Sequence, residues 1–212
     1  MNRHEGQPVH TRGRRLTEAR AVMIMVHGRG ATAESILSLV PEFDQPDVAY
    51  LAPQAAGYAW YPFSFLEPLE RNEPHLSSAL GVIAHLIGRV NAAAVPTERI
   101  MLLGFSQGAC LALEYSARNA TRYGGVVGLS GGLIGPDDTP REYPGTLDAT
   151  PVFVGCSDTD FHIPKARVDE SAKVLERLGG TVTERLYPGM GHTVSQDEID
   201  FVKAMLETVV SA

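Results

Sequence analysis

Ser106 lies in Gly104-Phe105-Ser106-Gln107-Gly108, a G-x-S-x-G spacing that can present a nucleophilic serine. The apolar run before it, residues 100–103, suits a buried parallel strand, and residues 109–118 behind it favour a helix with few breakers. A strand that turns directly into a helix leaves no room for side chains beside the serine, so glycine is required at 104 and 108. The helix start aims free N–H groups and its positive dipole end at any anion formed next to the serine. A second G-x-S-x-G, Gly128-Leu129-Ser130-Gly131-Gly132, follows the strand-like pair Val126-Val127. Gly135 and Pro136 come soon after it and no helical pattern follows. Ser130 is therefore read as a loop serine at a strand end, without the helix that an elbow needs.

A serine hydroxyl is a weak nucleophile at neutral pH and needs a base, itself oriented by an acid. His192 comes late, in Gly189-Met190-Gly191-His192, a glycine-rich loop that lets an imidazole reach a sheet edge. His75 and His85 fall in a helical pattern and His4 and His10 in a weakly patterned start, which makes them poorer bases. Two acids, Asp158 and Asp160, follow one strand, and either could orient the imidazole. An oxyanion hole requires two N–H donors. The backbone N–H of Gln107 is one; that of Arg29, flanked by Gly28 and Gly30 in the loop after another strand, is the other. Two competing chemistries are weaker. Residues 28–33 fit the G-x-G-x-x-A dinucleotide fingerprint, but the next strand ends Leu51-Ala52-Pro53 without the acid that would hold a ribose. Asp158-x-Asp160-x-His162 could hold a metal, yet no second ligand cluster and no HExxH accompanies it.

The elements that must position these residues alternate. Strands are expected at 22–26, 48–52, 100–103, 126–127, 151–154 and 182–187, with a small edge strand at Val9 and His10. Helices are expected at 33–40, from Asn72 as a cap through Val90, at 109–118, from Pro164 to Leu178, and after the capping box Ser195/Glu198. This order predicts an α/β fold: a doubly wound, mostly parallel sheet with helices on both faces and right-handed crossovers. The loops that carry Arg29, Ser106, Asp158, Asp160 and His192 all follow strands, so they gather at one sheet edge, where such sheets bind ligands. A long loop with an aromatic cluster, Tyr58, Trp60, Tyr61, Phe63 and Phe65, leads from the strand at 48–52 to the helix that Asn72 would cap.

At 212 residues the chain fits a single domain, residues 1–212, with a weakly patterned segment at 1–20. Its net charge of −7 and the absence of any basic run beyond Arg14-Arg15 argue against nucleic acid as a partner. No apolar run approaches a membrane span, and the polar start does not read as a signal peptide. The two cysteines, Cys110 and Cys156, have no CxxC spacing and read as reduced core thiols of a cytoplasmic protein.

Taken together, Val26-His27-Gly28-Arg29-Gly30, the Ser106 pentapeptide, Asp160-Phe161-His162-Ile163-Pro164 and Gly189-Met190-Gly191-His192 resemble the phospholipase/carboxylesterase family of α/β-hydrolases, which includes the acyl-protein thioesterases. The order nucleophile, acid, base is also that of α/β-hydrolases. The resemblance implies an α/β-hydrolase fold with no large lid and serine esterase chemistry on small-molecule esters or thioesters. It implies no cofactor and no metal, and in many members a homodimer. By match Ser106 is the nucleophile, His192 the base, and the N–H groups of Arg29 and Gln107 the oxyanion hole. The chain departs from the family in two places. Arg29 stands where members commonly carry an apolar residue, and a cation at the pocket mouth favours an anionic substrate over a long apolar acyl chain. The familiar acid loop is Gly-x-x-Asp-x-x-Val-Pro; counting from Gly155 selects Asp158, and counting back from Pro164 without a gap selects Asp160. The gap-free alignment assigns Asp160 as the acid and leaves Asp158 as the alternative acid or a supporting residue. Trp60, Tyr61 and Phe63, with Arg29, are expected to wall the pocket, although the same aromatics could instead clamp their loop onto the core. The same triad could serve a lactone or dienelactone-like hydrolase or an acyltransferase. A non-catalytic binding protein on this fold would have no need of an intact serine, histidine and acid.

Overall fold

The strand Ala21–Val26 is apolar without a break because both of its faces are covered. Val22, Ile24 and Val26 face one core and Ala21, Met23 and Met25 the other, as the two-residue period of a strand requires. The structure is a computed structural model that describes residues 3–212; Met1 and Asn2, the start of the weakly patterned segment, lie outside the described residues.

In chain order the elements are β1 (Val9–Gly13), β2 (Ala21–Val26), α1 (Ala33–Leu37), α2 (Val40–Phe43), β3 (Val48–Pro53), α3 (Leu69–Asn72) and α4 (His75–Ala92). They continue with β4 (Ile100–Phe105), α5 (Gln107–Arg118), β5 (Gly125–Leu129), β6 (Pro151–Ser157), α6 (Lys165–Arg177), β7 (Thr181–Tyr187) and α7 (Gln196–Ser211). The strands form one sheet in the order β1-β3-β2-β4-β5-β6-β7. Among the described residues only β1 runs antiparallel to its neighbour; the remaining pairs are parallel. Side chains of α4, α5 and α6 fill one core, and those of α1, α2 and α7 fill the other. This is the doubly wound sheet that the alternation of elements predicts, and no lid domain is inserted among the described residues.

Two local expectations change. The helix expected at 33–40 is two short ones, because Pro41 cannot continue α1 and instead sits in the first turn of α2. Asn72 does not cap α4; Pro74 occupies that position. Asn72 ends α3, buried, where its side chain accepts from Phe63 N–H at 2.9 Å and donates to the Ser64 carbonyl at 2.9 Å. A fully buried amide satisfied by loop backbone contributes more there than at an exposed helix start.

The end of β4 and the start of α5 are packed backbone against backbone. A Cβ on Gly104 would fall onto the Gly108 carbonyl, and one on Gly108 onto the carbonyl of Val26. Gly108→Ala should therefore destabilise the fold by about 3 kcal/mol or more, at the upper end of overpacking costs, because its obstacle is sheet backbone that cannot swing aside. Gly81→Ala is the control: it lies within α4 with nothing near its added Cβ and should gain about 0.5–1 kcal/mol. Urea unfolding of both variants reads the contrast; equal midpoints would refute it.

Candidate active site

Ser106 sits between β4 and α5 in a backbone conformation that non-glycine residues rarely adopt, φ 54° and ψ −119°. The turn is held from both sides. Ser106 N–H donates to the Leu129 carbonyl at 2.9 Å, and its carbonyl accepts from Cys110 N–H at 3.0 Å as the first bond of α5. The hydroxyl projects into a cleft at the carboxyl edge of the sheet.

His192 reaches it from the loop after β7. Gly189 and Gly191 adopt φ of +63° and +80°, which turns the chain back toward the sheet edge. His192 Nε2 lies 2.9 Å from Ser106 Oγ, and its Nδ1 lies 2.6 Å from Asp160 Oδ2. Burial alone would raise the Asp160 carboxyl, but hydrogen bonds from His192 and from the N–H groups of His162 (2.8 Å) and Ile163 (3.1 Å) outweigh it and hold the pKa below the ordinary carboxylate value. An ionised carboxylate can only accept, so the proton sits on Nδ1 and leaves Nε2 free to accept from the Ser106 hydroxyl.

Asp158, the alternative acid, is exposed and points elsewhere: its Oδ1 accepts from Gly189 N–H at 2.9 Å. Together with Ser157 Oγ, which accepts from Gly191 N–H at 3.2 Å, it fixes the turn that carries His192. Asp158 thus supports the loop of His192 and does not touch its imidazole. Asp160 itself takes the N–H groups ahead of α6. Asp158, Asp160 and His162 thus diverge, and among the described residues no group of three or more His, Cys, Asp or Glu is placed to hold a metal. Ser130 likewise stays out of the site: it is fully buried at the end of β5 and no helix follows it.

The loop after β2 passes directly over the serine, since a Cβ on Gly28 would lie 3.4 Å from Ser106 Cβ. Fully buried His27 sets its peptide planes. His27 Nε2 accepts from Ala55 N–H at 3.1 Å, a group that can only donate, so its proton is on Nδ1, which donates to the Gly28 carbonyl at 2.8 Å. In a trans peptide the N–H opposes the carbonyl, so Arg29 N–H faces away from His27. Among the described residues neither Arg29 N–H nor Gln107 N–H, at the first position of α5, has a protein acceptor.

The cleft encloses about 440 Å³ and is lined by Arg29, Tyr61, Phe63, Phe65, Cys110, His162 and Ile163 around Ser106 and His192. Trp60, expected on this wall, is not part of it. Its indole N–H donates to the His27 carbonyl at 2.8 Å and its backbone N–H to Gln107 Oε1 at 2.9 Å, which hold the ring in the core at 1% exposure. Gln107 Nε2 also donates to the Tyr61 carbonyl at 2.9 Å, so the residue after the serine clamps the aromatic loop through its side chain. The Arg29 guanidinium clamps the same loop further out, donating to the carbonyls of Pro62 at 2.9 Å and Phe63 at 2.7 Å. Tyr61, Phe63 and Phe65 line the cleft, whereas Trp60 is clamped on the core. Sequence reasoning did not single out the Gln107 side chain, His27 or His162 as parts of the cleft and its supports. The one signal for the histidines was their place in loops after strands, since their partners are backbone groups that leave no pattern in residue types.

Residues 14–210 match the phospholipase/carboxylesterase family. The crystal structure of a phospholipase/carboxylesterase from Dyadobacter fermentans is 40% identical to this chain, superposes with a TM-score of 0.93, and matches over 98% of this chain and 99% of its own. Acyl-protein thioesterase 1 of Gibberella zeae is 29% identical over 216 residues, covering 88% of this chain and 89% of that protein. Acyl-protein thioesterase 1 of Saccharomyces cerevisiae is 24% identical over 220 residues, with 93% and 96% covered.

Behind the cleft, burial lowers the pKa of both His4 and His27 below the ordinary 6.5. The unfolded chain therefore binds protons at these sites below about pH 6.5 that the folded chain refuses, so stability is full above that pH and falls as pH drops through it. Urea unfolding between about pH 7.5 and 5 should show this slope. His4→Gln and His27→Gln should each lower the neutral-pH stability and flatten the slope; an unchanged slope in both would refute the assignment.

Proposed function

This chain belongs to the phospholipase/carboxylesterase family, and on that premise we propose that it is a serine carboxylesterase that hydrolyses carboxylic ester and thioester bonds through Ser106, His192 and Asp160. The observation that carries the reading is the continuous hydrogen-bonded chain Ser106 Oγ–His192–Asp160 at the mouth of a cleft, with a strained serine at a helix start. The family and the relatives named acyl-protein thioesterase support hydrolysis of esters and thioesters.

Ser106 Oγ attacks the substrate carbonyl carbon as its proton passes to His192 Nε2. Asp160 stabilises the imidazolium and keeps the ring in the tautomer that accepts that proton. Negative charge on the carbonyl oxygen is met by the N–H groups of Gln107 and Arg29, the first at the positive end of α5. His192 then protonates the leaving alcohol or thiol, and Ser106 is left acylated. A water molecule, deprotonated by the same Nε2, attacks the acyl carbon; the carboxylic acid leaves and Ser106 recovers its proton. Ser106 and His192 are half-buried and reachable by water, which favours hydrolysis over acyl transfer.

Ser106→Ala should lower kcat on a para-nitrophenyl ester by about 10⁵–10⁶ and abolish labelling by a fluorophosphonate, whereas Ser130→Ala should keep both. Asp160→Asn should cost about 10⁴ in kcat with folding intact, because the amide favours the wrong tautomer. Asp158→Asn should cost about tenfold or less, since asparagine still offers Gly189 N–H an acceptor. Labelling that survives Ser106→Ala, or an inactive Asp158→Asn beside an active Asp160→Asn, would overturn these roles.

A further inference from the structure

We propose that Arg29 and His162 form an anion subsite in the cleft, so that the enzyme selects esters carrying a carboxylate a few bonds from the scissile carbonyl. The proposal rests on the esterase reading above and narrows its substrate class.

The cleft is positively charged on an acidic protein. The chain carries a net charge of −7, yet among the described residues no Asp or Glu lines the cleft. The nearby carboxylate, Asp160, is buried, and its oxygens are taken by His192 and by the N–H groups of His162 and Ile163. No acid neutralises Arg29. Its two side-chain hydrogen bonds go to neutral carbonyls, and among the described residues no carboxylate pairs with it. Arg141, Arg167 and Arg185, by contrast, each meet an acid. A guanidinium has five donors; two are spent on Pro62 and Phe63, which leaves three N–H groups on a cation already held in one place. Such preorganisation suits a planar carboxylate, which a guanidinium binds through paired hydrogen bonds.

His162 supplies a second donor. Its backbone is pinned by Asp160 Oδ1, its ring lies 4.8 Å from the His192 ring and edge-on to it, and the Phe161 ring lies 4.3 Å from it, tilted. Among the described residues its ring nitrogens make no hydrogen bond, so an imidazole N–H is available beside the reacting groups. A long apolar chain would have to cover this cation and donor without satisfying either, which disfavours it. The carboxylate can sit on the acyl side or on the alcohol side of the ester; the chemistry is shared, and the test separates the two.

Two matched pairs make the test. On the acyl side, the para-nitrophenyl monoester of glutaric acid is compared with that of its ω-amide. On the alcohol side, the butyryl ester of glycolic acid is compared with that of glycolamide. Wild type should favour the carboxylate member of one pair by about tenfold to a hundredfold in kcat/KM, mostly through KM, as a charge-assisted hydrogen bond would. The ratio within the pair is the readout, so a loss common to both members cancels. Arg29→Gln, which removes the charge but keeps an amide donor for the loop, should bring the ratio near unity. Arg29→Lys, which keeps the charge but not the paired hydrogen bonds, should leave a ratio between those of wild type and Arg29→Gln, and His162→Gln should lower it severalfold. Raising salt from about 20 mM to about 500 mM should also lower the wild-type ratio, which keeps the test intact if Arg29→Gln does not fold. Equal rates on both members with Ser106 labelled by a fluorophosphonate, or a ratio unmoved by Arg29→Gln, would overturn the subsite alone. No hydrolysis of any ester and no labelling of Ser106 would overturn the esterase reading beneath it.

Discussion

The close backbone contact of β2, β4 and α5 is the constraint on which the site depends. With no side chain at Gly104 or Gly108, α5 starts against the carbonyl of Val26, and Ser106 is forced into a left-handed turn at the sheet edge. Strain of this kind, of order 1–3 kcal/mol, persists only where the surroundings over-determine it. Here they do: Leu129 receives the Ser106 N–H, Cys110 bonds back to its carbonyl, and α5 is buried along nearly its whole length. The same contact brings the loop after β2 over the serine, so the position of the hydroxyl and that of the peptide beside it are set by one packing event.

From that fixed point the cleft is assembled by side chains that bind backbone. His27 turns the Gly28 carbonyl, Gln107 holds Trp60 and Tyr61, Asn72 holds Phe63 and Ser64, and Arg29 closes over Pro62 and Phe63. On the other rim Asp158 and Ser157 hold the turn bearing His192. A loop's own N–H and carbonyl groups must be satisfied somewhere when it packs on a core. Using them as anchors makes irregular walls rigid without regular secondary structure. It also leaves the cleft lined by an unneutralised arginine, since carbonyl partners orient a cation without cancelling its charge.

The two carboxylates of the acid loop illustrate how one short bend divides roles. Two residues apart on a strand, their side chains would share a side. Past the end of β6 the chain turns, Asp160 is drawn under His192 and satisfied by its imidazole and by the N–H groups of His162 and Ile163, and Asp158 is left outside to hold Gly189. Burial opposes ionisation of Asp160, and the donors overcome it. Neither environment is encoded in the residue type.

By itself the sequence determined the alternation of strands and helices, the elbow around Ser106 and the family to which the chain belongs, because these rest on local signals: apolar runs, helix formers, and glycine where backbone must touch backbone. The residue types around the cleft were legible for the same reason, and the gap-free spacing from Pro164 singled out the aspartate that lies against His192. Tertiary structure alone decided which aromatics face the cleft. Trp60 and Tyr61 are neighbours of similar character, yet Trp60 is turned into the core because His27 and Gln107, distant in sequence, take its N–H groups. It alone decided that Asn72 serves a loop rather than a helix, that the Gln107 side chain is a clamp, and that His162 stands beside His192. Each outcome is fixed by a hydrogen bond to a backbone group far along the chain, and a backbone group has no identity in the sequence until the fold has brought it near.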